Sequence, residues 1–264
     1  MIRFPAPTRF SRRFLRVWQR NLAVYRKTWK ISFLPPLLEP MLYLLAFGVG
    51  LAVMVGSVVY GGAELSYLQF IAPALVAVAI MYNAFFETTY NSYVRMYYQK
   101  TFDAMLATPL NLEEIILGEL VWAASKALIA AVLMGAVVSA FGLLAFPFAL
   151  GLLPLALLGG LVFAALGMIC TALVPNIETF NIPIFLMITP MFLFSGTFFP
   201  LANLPDWAQG LAQILPLTHL VALARACALG AWPPELWLSL LYLLLFAALA
   251  LPLAIALMVR RLIH

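Results

Sequence analysis

The sequence predicts an all-α integral membrane protein with six transmembrane helices, and three observations lead there. Of its 264 residues, 65% are hydrophobic and 9% charged, and the mean hydropathy is +1.04; a soluble domain carries about a quarter charged residues. Six stretches, near 31–55, 67–90, 115–141, 149–174, 182–199 and 236–259, each approach the roughly 20 largely apolar residues that a helix needs to cross a bilayer core. Lys and Arg are distributed unevenly over the segments that join them.

Residues 1–30 precede the six-span region, 31–264. At 100° per residue, Arg9, Arg13, Arg16, Arg20 and Lys27 fall on one face of a helix and Phe10, Phe14, Trp18, Leu22, Tyr25 and Trp29 on the other. This pattern predicts an amphipathic helix lying in the membrane interface, its cations toward anionic lipid. It serves as a plain anchor or as a lever that touches a partner. The two termini and the 91–114 connection together hold thirteen Lys and Arg, whereas the segments on the other side hold only Arg225. The positive-inside rule therefore places both termini in the cytoplasm, and the net charge of +5 faces a membrane surface rather than nucleic acid.

Between spans five and six, 200–235 is apolar but broken by Pro205, Pro216, Pro233 and Pro234. Its helical pieces, near 206–214 and 217–229, are too short to cross and are read as surface-lying or re-entrant.

Catalytic chemistry finds little footing. None of the four lysines follows a glycine, so a phosphate-binding loop is absent. His219 and His264 are the only histidines, no metal-ligand spacing occurs, and Cys170 and Cys227 form no redox pattern. Ser125 and Ser195 have no histidine near them in sequence to act as a base. These absences predict a transport subunit with no catalytic, metal or cofactor residues of its own. The alternatives are an ATP-independent secondary transporter, weakened by the lack of an internal repeat, and a membrane-embedded lipid-modifying enzyme.

Four charges fall inside predicted spans: Glu39, Glu87, Glu119 and Lys126. An isolated ion at mid-membrane costs about 3 kcal/mol or more, so pairing is expected, either Glu87 or Glu119 with Lys126. The alternative is a direct part in substrate passage. Glu39, among Pro35, Pro36 and Pro40, is expected to brace irregular backbone.

The connection after span two reads "YQKTFDAMLATPLNLEEIILGE". A short amphipathic helix should run from about Lys100 to Ala107 and stop before Pro109. Asn111 then caps the next helix, with Glu114 three residues on as in a capping box. Phe102, Met105 and Leu106 would be apolar side chains in water unless a cytoplasmic partner covers them.

These stretches resemble the type-2 ABC exporter permeases. The likeness is carried by the loop just quoted, by "PNIETFNIPIFLMITPMFLFSGTFFPLANLPDW" at 175–207, and by "LPLTHLVALAR" at 215–225. Within that family, "WQRNLAVYRK", "PMLYLLAFGVGLA" and "GELVWAASKA" are similar to the nodulation protein J branch. The resemblance implies a homodimer in a bacterial cytoplasmic membrane, bound to two copies of a separately encoded ATPase that holds the ATP and Mg. It makes the short inner helix the coupling helix, with Lys100, Thr101, Phe102, Asp103, Met105, Leu106, Thr108 and Pro109 at the ATPase. The branch is associated with export of lipo-chitooligosaccharides, so an amphiphilic cargo is expected. Aromatic side chains in spans one, two and five would tolerate an acyl chain; Tyr43, Tyr82, Phe85, Phe192 and Phe194 are the candidates for the passage, with ordinary helix packing as the other reading.

Overall fold

The structure, a computed structural model, describes residues 11–263, apart from the side chains of residues 31–37, 39, 40, 49, 52 and 53. The side chain of Glu39, and Arg3, Arg9, Phe10 and His264, lie outside the described residues.

Helix α1 (Phe14–Tyr43) continues as a π-helical stretch, Leu44–Leu51, and ends as α2 (Ala52–Val55). It passes without a break through residue 30, where the sequence suggested a border between an interfacial helix and the first span. A β-hairpin follows: β1 (Ser57–Tyr60) pairs antiparallel with β2 (Ala63–Ser66), Tyr60 opposite Ala63. Gly61 and Gly62 have φ +61° and +79°, the left-handed pair that a two-residue type I′ turn requires. The all-α expectation is corrected at this one place.

Ser66 caps α3 (Tyr67–Phe86), accepting from the Gln69 N–H at 3.3 Å while Gln69 Oε1 accepts from the Ser66 N–H at 3.0 Å. The helix does not stop at residue 90. Two π-helical turns, Glu87–Asn91 and Val94–Tyr98, carry it on to Tyr98. Thr89 Oγ1 donates to the Phe85 carbonyl at 2.8 Å and Thr88 Oγ1 to Ala84 at 3.2 Å, so hydroxyls back-bond to carbonyls where the ladder widens.

The remaining helices are α4 (Thr101–Leu106), α5 (Leu112–Ala140), α6 (Leu152–Leu173), α7 (Asn181–Pro183), α8 (Thr189–Phe194), α9 (Asp206–Ile214), α10 (Pro216–Leu229) and α11 (Leu236–Ile263). Glu114 accepts from the Asn111 N–H at 3.0 Å, as expected at the start of α5. Among the described residues, four helices are long and apolar enough to cross a membrane: Tyr67–Tyr98, Leu112–Ala140, Phe148–Leu173 and Leu236–Ile263. The fifth predicted span appears as a shorter helical run, Glu178–Phe194, with a π-helical middle, and leaves the helix at Ser195. Helices α9 and α10 meet at 85°, the sharp turn that Pro216 at the start of α10 permits.

Helix α3 is the centre of the bundle, packed on α5, α6 and α10, while α6 also meets α11 and α1 lies along α5. Small residues set these approaches. A Cβ on Gly118 would come within 2.5 Å of the Val17 Cβ, so only glycine lets α1 sit this close to α5. Arg225 is buried and donates to the carbonyls of Phe70 at 3.0 Å and Gly196 at 2.5 Å. It ties the SGTFFP stretch to the start of α3.

Candidate functional site

The extension of α3 builds the site. Glu87, Asn91 and Arg95 share one face of it, aimed at α5. Arg95 donates to Glu87 Oε1 at 2.7 Å and, through Nε, to Glu119 Oε2 at 2.9 Å. Lys126 Nζ lies 2.8 Å from Glu87 Oε2. Of the two pairings open at the sequence level, Lys126 therefore takes Glu87, and Glu119 takes Arg95. Neutral donors complete both carboxylates: Trp122 Nε1 and Asn91 Nδ2 reach Glu87 at 2.9 and 2.7 Å, while Ser92 Oγ reaches Glu119 at 3.0 Å. Full hydrogen bonding of this kind is what makes buried charge tolerable.

Helix α1 joins the cluster. Asn21 Nδ2 donates to Glu119 Oε1 at 2.7 Å, and Arg20 donates to Asn21 Oδ1 at 2.9 Å and Thr101 Oγ1 at 3.4 Å. Trp18 Nε1 donates to Ser125 Oγ at 2.9 Å, and the Tyr25 ring meets Trp122 edge-on at 5.6 Å. Arg13 also donates to the Pro109 carbonyl at 2.8 Å. The face with Trp18 and Tyr25 thus packs on protein, and a bonded path runs from Thr101 at the start of α4 through Arg20, Asn21, Glu119, Arg95 and Glu87 to Lys126.

Helix α4 departs from expectation in its orientation. Phe102 is 1% exposed and Met105 is buried, both joined to the chain's own core, whereas Leu106 is 44% exposed. The expected exposed knob of Phe102, Met105 and Leu106 is thus corrected. The six-residue helix turns Phe102 and Met105 inward, three apart on one side, and leaves Leu106 outside. Lys100, exposed, precedes it with φ 50°. Asp103 is exposed too, and Thr108 Oγ1 donates to the Met105 carbonyl at 2.6 Å, closing the turn before Pro109.

Three of the five passage candidates come together. Phe192 lies between Tyr43 and Tyr82 at centroid distances of 5.5 and 5.9 Å. From there a half-exposed ring series runs along α3, Tyr82 to Phe86 at 5.7 Å and Phe86 to Tyr90 at 6.0 Å, before Tyr90 meets Phe180 at 5.2 Å. Phe85 points the other way and is buried in the core, a correction to its place in the passage. Phe194 is half-buried beyond this series.

Residues 12–229 match the family described as ABC-2 type transporter. The chain belongs to that family. This ABC-2 permease is 43% identical over 220 residues to nodulation protein J of Rhizobium leguminosarum bv. trifolii, covering 83% of this chain and 82% of the relative. It is 38% identical to nodulation protein J of Sinorhizobium fredii, over 95% of this chain and 94% of that protein. It is also similar, at 25% identity over 81% of its length and 82% of the relative, to the inner membrane transport permease YadH of Escherichia coli. Both the family and these likenesses agree with the resemblance read from the sequence, and the chain is a multi-pass membrane permease of ABC transport.

The sequence assigns Arg20 only to the lipid-facing cations of the N-terminal helix and gives Arg95, Asn21 and Trp122 no site role. The signal was present for Arg95: Glu87, Asn91 and Arg95 recur every fourth residue, the spacing of one helix face. Ending span two at 90 hid it. Nothing in the sequence pairs Asn21 with Glu119.

Proposed function

We propose that this chain is the permease subunit of an ATP-driven exporter that moves an amphiphile outward across the cytoplasmic membrane of a bacterium. Two copies, each with six spans and both termini in the cytoplasm, pair with two copies of a separately encoded ATPase that binds ATP and Mg. The observation that carries this reading is the bonded path from α4 to the membrane-spanning charges. A movement imposed on α4 by ATPase closure reaches Arg20 through Thr101, and from it α1, α3 and α5 through Glu119. Only states that differ in such contacts can be driven apart by nucleotide. ATPase closure draws the α4 helices together, and the interface between the two permeases opens outward.

The partly exposed ring series from Tyr43 and Phe192 through Tyr82 and Phe86 to Tyr90 supports an amphiphilic cargo, because such aromatic faces accept both acyl chains and sugar rings. The relatives named nodulation protein J support a lipo-oligosaccharide as the first cargo to test. The experiment is reconstitution of this chain with its ATPase in sealed vesicles, followed by ATP-dependent accumulation of a fluorescent lipo-oligosaccharide. Movement that needs ATP supports the reading. Movement driven by an ion gradient without the ATPase would overturn it in favour of a secondary transporter.

A further inference from the structure

A cleft of about 200 Å³ opens between α1, the extension of α3, and α5. Arg20, Arg95 and Lys126 line it, together with Glu87, Tyr25 and Gln99. The charges in and behind it do not balance. Three cations, Arg20, Arg95 and Lys126, stand against two carboxylates, Glu87 and Glu119. The bonds described for Arg20 go to the neutral oxygens of Asn21 and Thr101.

The arrangement is also one-sided. Glu87 and Glu119 are 2% and 0% exposed, whereas Arg95 and Lys126 are 13% and 16% exposed. The carboxylates form the back of the cleft and the cations its open wall. An excess positive charge beside membrane-spanning helices is costly until an anion meets it. The volume admits a small headgroup rather than a drug-sized molecule, which fills roughly 300 Å³ or more. Val24 and Val94 line the same cleft, and Val24 is 47% exposed. They add the apolar shoulder that a lipid's glycerol and first methylenes would touch.

We propose that this cleft binds the phosphate of an anionic membrane lipid, with Arg20, Arg95 and Lys126 as its donors. The cleft shares no lining residue with the ring series of Tyr82 and Phe192, so the lipid it takes is distinct from the cargo proposed for those rings. Occupancy would fix Arg20, the α1 side chain bonded to Thr101 of α4, so lipid composition would set how firmly α1 and α4 are joined.

The test uses the full chain in neutral detergent and reads thermal stabilisation during titration with dihexanoyl-phosphatidylglycerol, dihexanoyl-phosphatidylcholine or inorganic phosphate. The anionic lipid should stabilise the wild type, and the zwitterionic one should not. Arg20→Gln should weaken the anionic lipid roughly tenfold, as loss of a charge-assisted hydrogen bond does. Gln99→Glu, on an exposed rim position, should weaken it without touching the core and serves where Arg20→Gln fails to fold. Equal effects of the two lipids, or unchanged affinity in Gln99→Glu, would overturn the proposal. Equal affinity for phosphate alone would overturn the lipid as its source.

Discussion

Asn21 Nδ2 donates to Glu119 Oε1 at 2.7 Å, so the first turns of α1 share a carboxylate buried on α5. Removing the amide leaves one oxygen of a buried ion short of a donor. Asn21→Ala should cost about 1.5–3 kcal/mol, the range for a hydrogen bond to a charged group. Thermal unfolding of the purified chain in detergent measures it. A change within about 0.5 kcal/mol would show that α1 is held by packing alone.

Gly118 supplies that packing, since a side chain there strikes Val17. Gly118→Leu should lift α1 from α5 and break the Asn21–Glu119 bond as a consequence. Combined with Asn21→Ala, the two losses should then be sub-additive, because neighbours that act through one contact couple. Full additivity would mean that the close approach and the hydrogen bond are separate devices.

Arg95 and Lys126 should differ in weight. Arg95 meets both carboxylates and Lys126 only Glu87. Arg95→Met should therefore cost about 3–5 kcal/mol, the range for breaking a buried ion pair. Lys126→Met should cost less, because Arg95 still serves Glu87, and Glu87→Gln should restore part of the loss. Yield and thermal stability of the three variants rank them. Normal stability with abolished transport in Lys126→Met would instead put that lysine on the cargo path.

Much of this was legible in the sequence, and the gaps have physical causes. Apolar runs and proline breaks placed the long helices and the α9–α10 bend, because length and hydropathy act locally. The hairpin is signalled only by the Gly61–Gly62 pair, which hydropathy and run length do not register. The sequence hides the continuation of α3 past residue 90, because Asn91, Ser92 and Arg95 look like solvated residues. Ser92 is buried and Arg95 nearly so, and Glu119 on α5 makes that possible. The inward turn of Phe102 was equally hidden: a six-residue helix has two sides, and which one faces protein depends on contacts that are remote in sequence.

Topology offers an independent check on the six-span arrangement. Reporters fused after His264 and within the loop at Ala107 should be cytoplasmic, and one at Asn203 should be external. The coupling role rests on this sidedness, since α4 can meet an ATPase only from the cytoplasm. A cytoplasmic signal at Asn203 would overturn the count.

The coupling role of α4 is the centre of the account, and its burial pattern now separates folding from docking. Phe102 is part of the core, so Phe102→Ala should lower stability by about 3–5 kcal/mol and says little about partners. Leu106 is the apolar side chain of α4 left outside, and a central apolar contact of that kind typically carries about 2 kcal/mol or more of binding. The decisive measurement is co-purification and ATP turnover of Leu106→Asp with the ATPase partner, alongside its thermal stability without it. The variant should unfold at the wild-type temperature, bind the ATPase at least roughly tenfold more weakly, and lose cargo-stimulated turnover. Wild-type assembly and turnover in Leu106→Asp would contradict the assignment of α4 as the coupling helix.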